Sequence, residues 1–130
     1  QMCIRDRLLP QLSERMTAPD REAVARIVAS PATRQLVAAA EDGRIVGLLS
    51  VALYDVPSGR KAWIEDVVVD AAARGRGIGE ALVREALALA RREGVARVML
   101  TSNATRRAAH RLYERMGFVR YETDCFRLDL

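Results

Sequence analysis

The chain has 130 residues, half of them hydrophobic and 29% charged, with a formal net charge of +4. That is the size of one domain with a real core, and it excludes a disordered tail. The positive surplus is almost all arginine, Lys61 being the only lysine; it favours an anionic partner and is too small to name one.

The opening QMCIRDR has no apolar signal-peptide core and fits poorly with the residues after it, so residues 1–7 read as a non-native lead-in. Residues 8–16 can form a short amphipathic helix. TAPDREAVARIVAS reads as a second helix: Asp20 is its candidate cap, Val24, Ile27 and Val28 share a face, and Pro31 stops it. RQLVAAAE reads as a strand, Asp42-Gly43 as a tight turn, and RIVGLLSVALYD as the antiparallel partner. VPSG is a loop, and KAWIEDVVVD, rich in β-branched residues, is a buried strand.

A glycine-rich segment comes next. Then EALVREALALARREG places Leu82, Val83, Ala86, Leu87 and Ala90 on one apolar face, with Gly94 as its C-cap. VARVMLTS reads as a strand, and TRRAAHRLYERMGF as a helix closed by Gly117. FVRYETD and CFRLDL read as two final strands. The expected fold is α/β (α+β): a mixed, mostly antiparallel sheet with a central parallel β-α-β crossover and helices on both faces. One domain is expected over residues 1–130.

No apolar run reaches the roughly 18 residues of a membrane span. Cys3 and Cys125 stand near opposite ends with no Cys/His cluster, which argues against a metal site and for a reducing, cytoplasmic setting.

The glycines of RGRGIG, residues 74–79, sit where a helix should begin, although each glycine inside a helix costs about 0.5–1 kcal/mol. The first amides of a helix lack internal partners, and the helix dipole adds positive charge there. Bare backbone lets a phosphate approach those amides, and Arg74 and Arg76 add charge. The alternative is a tight turn at Gly75 and Gly77, with Gly79 allowing close helix packing. A Walker loop is excluded, because no Gly-Lys-Ser/Thr comes after the glycines. A dinucleotide fold wants its glycine turn after the first strand and an acid about 20 residues on; neither fits.

EDVVVDAAARGRGIGEALV followed by LTSNATRRAAHRLYERMGF resembles the GNAT superfamily of acetyl-CoA-dependent N-acetyltransferases. Arg74, Gly77 and Gly79 match its Gln/Arg-x-x-Gly-x-Gly/Ala signature. Ala109, Leu112, Tyr113, Gly117 and Phe118 match a second pattern, Ala-x-x-Leu-Tyr-x-x-x-Gly-Phe. The resemblance covers residues 34–130 well and the first 30 only as two helices. The family's usual first strand is expected to be missing.

The resemblance implies a fold of the GNAT kind and acetyl transfer from acetyl-CoA to a primary amine, with a small-molecule amine favoured. It implies that Arg74, Gly75, Arg76, Gly77, Ile78 and Gly79 hold the pyrophosphate. It implies that Val67, Val68 and Val69, on a strand splayed from VMLTS, bind the pantetheine arm, with an amide near Val68 polarising the thioester. Tyr113 stands in the family's general-acid position, or is a core aromatic. Glu65 is the candidate base, or a solvated carboxylate. Glu65 and Asp66 are expected to begin their strand and to point to opposite faces.

Many relatives carry Asn where this chain has Arg106. Asn103 is the candidate replacement, while Arg106 and Arg107 could reach phosphates or simply be solvated. His110 reads as exposed or cofactor-adjacent, not as a base. Trp63 and Tyr54 could line an acceptor pocket, although strand aromatics are more often core; Phe126 and Cys125 belong to the same class.

The rival readings are a non-catalytic acyl-CoA sensor, a protein N-terminal or lysine acetyltransferase, and an arginine-rich nucleic-acid binder. The arginines are scattered over several helices and no aromatic-basic platform exists, so nucleic acid is not expected. Neither is a membrane partner. Monomer and homodimer both stay open.

Overall fold

Two short turns fold residues 33–69 into an antiparallel meander. The computed structural model describes residues 7–13 and 15–130. Residues 1–6, with Cys3 and most of the expected lead-in, lie outside the described residues, as does residue 14 of the first expected helix.

β1 (Thr33–Ala39) pairs antiparallel with β2 (Ile45–Val56), and the Asp42-Gly43 turn joins them. Asp42 Oδ1 accepts the Arg44 amide at 2.9 Å, which ties the turn to its own backbone. VPSG is tighter than a loop. Val56 pairs directly with Gly59, so Pro57 and Ser58 alone link β2 to β3 (Gly59–Val69). The chain then crosses through α2 (Ile78–Arg92) to β4 (Val98–Met99), which lies parallel to β3. Sheet order is β1-β2-β3-β4, the expected mixed sheet with one parallel crossover. α1 (Arg21–Ala29) precedes β1 and α3 (Arg107–Arg115) comes after β4.

The main core lies on one face of the sheet. Leu82, Val83, Ala86 and Ala90 of α2 pack on Leu49, Val51, Leu53, Ala62 and Ile64, and Tyr113 of α3 joins them. Each large aliphatic side chain so buried contributes about 1.5–3 kcal/mol. A smaller cluster forms on the other face, where Leu8, fully buried, packs with Leu48 and Val68.

Three expectations are corrected, and the helix capped by Asp20 is borne out. Among the described residues of 8–16, a 3-10 turn, Leu9–Gln11, comes after π-helical residues 7–8 in place of the expected amphipathic helix. So short a helix is marginal alone, and the burial of Leu8 organises the segment instead. Asp20 does cap α1, accepting the Ala23 amide at 2.8 Å, but the helix's apolar face stays open: Val28 is 68% exposed. The strand expected over VARVMLTS has two residues, because the chain leaves β3 after Met99. FVRYETD and CFRLDL form no strands: residues 118–130 make no ladder, and beyond half-buried Phe118 their large apolar side chains face water. Alternating side chains give a segment strand character, and only a neighbouring edge makes it a strand.

Candidate active site

The link from β3 to α2 is anchored at its entry. Buried Asp70 donates its amide to the Val46 carbonyl at 2.8 Å, and its Oδ1 accepts the Ala72 amide at 3.2 Å. Gln11 Oε1 accepts the Ala71 amide at 2.8 Å, and Arg7 pairs with Asp70.

Beyond this anchor the glycines divide the work. Gly75 has φ of 80° and Gly77 φ of 76°, a left-handed backbone that costs an L side chain about 1–2 kcal/mol. A Cβ added at either would meet nothing within 4 Å, so the space beside them is open. Gly77 is the N-cap of α2 and offers no side chain to its amides. The amides of Ile78, Gly79 and Glu80 therefore have no partner within the helix. Gly79 is different. A Cβ there would lie 3.4 Å from Leu112 and 3.8 Å from Val69, so this glycine packs α2 against α3 and β3. Arg74 turns back, its Nε donating to the Val69 carbonyl at 3.3 Å, while Arg76 is exposed.

β3 and β4 are joined only at Ala62↔Val98 and Trp63↔Met99. From Glu65 to Val69, β3 pairs with β2 alone, and a gap opens between it and residues 100–103. A bulge lies at this gap. Leu48 pairs with Val68 but Ser50 with Glu65, so β3 carries one extra residue. Asp66, at φ of 52°, occupies the irregularity. Glu65 and Asp66 thus lie in mid-strand, not at its start, and simple alternation fails there. Val67 and Val69 pack against the α2 core, while Val68 joins Leu48 and Leu8 on the opposite face.

That opposite face carries a polar row. Gln35, Ser50 and Glu65 stand in register across three strands, and Ser50 Oγ donates to Gln35 Oε1 at 2.7 Å. Beside them Trp63 Nε1 donates to the Tyr54 hydroxyl at 2.8 Å. Neither aromatic belongs to a core cluster, although strand aromatics usually do. Gln35 and Ser50 were missed in the sequence, because only the register reveals their alignment with Glu65.

Tyr113 is buried on the α2 side, edge-to-face with Phe118 at 5.7 Å. Burial raises its phenol above the ordinary value, and the charge of Arg106 offsets part of that rise. Its neighbour Leu112 touches the Gly79 position at the start of α2. Glu65 and Tyr113 lie on opposite faces of the sheet. Arg106 is the N-cap residue of α3 without a capping side-chain bond. Asn103 Oδ1 accepts both the amide and the hydroxyl of Thr105, at 2.9 and 2.8 Å, which leaves only its Nδ2 to face outward. Half-buried His110 sits one turn into α3. Ser102, also missed, has a buried hydroxyl with no partner among the described residues where the chain leaves β4.

The model of the acetyltransferase (GNAT) family matches residues 3–118. The chain belongs to the GNAT acetyltransferase family. Among relatives of this GNAT chain, mycothiol acetyltransferase of Thermomonospora curvata is 37% identical over 89 residues, 68% of this chain and 29% of that protein. Glucosamine 6-phosphate N-acetyltransferase of Trypanosoma brucei brucei is 38% identical over 91 residues, 68% of this chain and 59% of that protein. A solved acetyltransferase of Trypanosoma brucei superposes with a TM-score of 0.75 at 33% identity, covering 95% of this chain and 88% of that one. The GNAT chain thus spans less than two thirds of the length of these two curated relatives. Among the described residues no helix is long and apolar enough to cross a membrane.

Proposed function

We propose that this GNAT domain transfers an acetyl group from acetyl-CoA to a primary amine by direct attack in a ternary complex. The observation that carries the reading is the left-handed turn at Gly75 and Gly77, which opens onto uncapped amides at the start of α2. The amides of Gly77, Ile78 and Gly79 bind the diphosphate, and Arg76 adds charge. The edge of Val67, Val68 and Val69 that β4 does not cover holds the pantetheine arm once Arg74 releases the Val69 carbonyl, and Ser102 Oγ and Asn103 Nδ2 are further contacts. Arg106 faces the phosphates or the Tyr113 phenol. The amine nitrogen attacks the thioester carbon, the C–S bond breaks, and the thiolate takes a proton from Tyr113. The amine's proton leaves through Glu65, directly or by way of water.

A phenol of ordinary pKa about 10 is a weak acid toward a thiolate of pKa about 8.5. Burial raises the Tyr113 phenol and a thiolate held beside it alike, so proximity rather than matched acidity carries the transfer.

The acceptor lies on the face of Gln35, Ser50, Glu65, Tyr54 and Trp63. Amide and hydroxyl groups beside an aromatic ring suit an amine that carries hydroxyls, an amino sugar being the favoured class. The names of the mycothiol and glucosamine 6-phosphate relatives support it. Thiol release from acetyl-CoA should be measured with glucosamine, glucosamine 6-phosphate, spermidine and a peptide with a free N-terminus. Turnover with an amino sugar supports the proposal. Turnover only with the peptide moves the acceptor to protein, and none with any amine favours a sensor.

A further inference from the structure

The turn that presents the α2 amides is held from a distant part of the chain. Gln11 lies 60 residues before Ala71, yet its Oε1 accepts the Ala71 amide at 2.8 Å. Its Nε2 donates to Asp70 Oδ1 at 3.4 Å and to the Arg7 carbonyl at 3.1 Å, so every polar atom of the side chain is engaged. Arg7 pairs with Asp70 and donates to the Ile45 carbonyl at the start of β2. Leu8, fully buried, packs on Leu48 and Val68. Residues 7–12 thus clamp the start of β2, the end of β3 and the first residues of the link to α2.

The stretch after this clamp has little else to hold it. Asp70 accepts the amides of Ala72, through Oδ1, and of Ala73, through its carbonyl, and leaves that of Ala71 to Gln11. From Arg74 to Gly77 the residues are exposed, and among the described residues no amide of these four makes a backbone hydrogen bond. Two of the four are glycines, whose backbone has many conformations open to it. A ligand binds only the fraction of such loops already in the competent shape, and apparent affinity falls with that fraction. The direction in which the chain leaves Asp70 therefore decides where the α2 amides stand.

We propose that Gln11 is a positioning residue for acetyl-CoA, which rests on the glycine turn being the acetyl-CoA site. By holding the Ala71 amide it fixes the entry to that turn, and it acts through the loop rather than on the cofactor. Removing the bond lowers the population of competent loops in the free protein.

The test compares the full chain with three variants. Gln11→Met keeps the side-chain length and removes its polar atoms, Gln11→Asn is too short to reach Ala71, and Glu93→Gln cuts a polar tie at the far end of α2. In isothermal titration both Gln11 variants should bind acetyl-CoA about three- to tenfold more weakly, the size of one net hydrogen bond. Glu93→Gln should match the parent. Hydrogen exchange without ligand should quicken over residues 71–79 in the Gln11 variants alone, with the amides of β2 unchanged. A parent that gives no heat overturns the acetyl-CoA reading, and this proposal with it. A parent that binds, with both Gln11 variants as tight or with no quicker exchange over 71–79, overturns this proposal alone. So does an equal loss of affinity in Glu93→Gln, which would trace the effect to stability at large.

Discussion

Trp63 donates its indole N–H to the Tyr54 hydroxyl at 2.8 Å, diagonally across β2 and β3 on the face turned away from α2. The phenol oxygen accepts, so its own proton is left for a partner outside the protein. Tyr54→Phe removes both. Tyr54 is 40% exposed, so its loss should cost under about 1 kcal/mol of stability. In steady-state kinetics KM for the amine should rise several-fold while acetyl-CoA affinity holds. Equal losses for both substrates would place Tyr54 outside the acceptor face.

The glycines of the turn should respond differently to alanine. Gly77→Ala forces a side chain into a backbone with φ of 76° and should cost about 1–2 kcal/mol in urea unfolding. Gly79 lies inside α2, where alanine gains up to about 1 kcal/mol of helix propensity, set against crowding at 3.4 Å from Leu112. Gly79→Ala should be nearly neutral. The reverse order of stabilities would contradict the assignment of the two roles.

Burial raises the Tyr113 phenol, which fixes the sign of its effect with pH. Below the ordinary value of about 10, folded and unfolded chains both hold the proton and the contribution is intact. Above it the unfolded chain ionises first, so stability is lost as pH rises through the raised value. Urea midpoints should therefore fall above about pH 10, and Tyr113→Phe should flatten that fall. The same variant should lower kcat by roughly 10²-fold or more with acetyl-CoA affinity retained. Unchanged turnover removes Tyr113 from the chemistry.

Glu93 ties β1 and β3 to the end of α2, pairing with Arg34 at 3.3 Å and with Arg60 at 3.2 Å. Arg60 also meets Asp55 at 2.7 Å through its terminal nitrogens, and its buried Nε has no partner among the described residues. Glu93→Gln should lower stability by roughly 1–3 kcal/mol, between the exposed and buried limits for ion pairs. Chemical denaturation with and without high salt checks this. No change would show that solvent already screens the cluster.

Local signals carried much of the architecture. Asp42-Gly43 marks its hairpin because the turn needs those residues, and Leu82, Val83, Ala86 and Ala90 mark the buried face of α2 through their spacing. The bulge at Asp66 was not legible, because it is a mismatch between two strands and neither sequence contains it. For the same reason the row of Gln35, Ser50 and Glu65 emerges only from register. Phe126, Leu128 and Leu130 show the opposite case: their alternation was plain, but it cannot say whether an edge is there to receive it. Gly79 had two readings in the sequence, and its 3.4 Å approach to Leu112 accounts for the packing one.

The most direct test is isothermal titration of acetyl-CoA into the full chain and into Gly77→Val, with circular dichroism confirming that each is folded. The parent should bind with measurable heat, and the folded variant should bind at least tenfold more weakly, because its side chain shields the first amides of α2. A parent that gives no heat, or a folded variant that binds as tightly as the parent, contradicts the account.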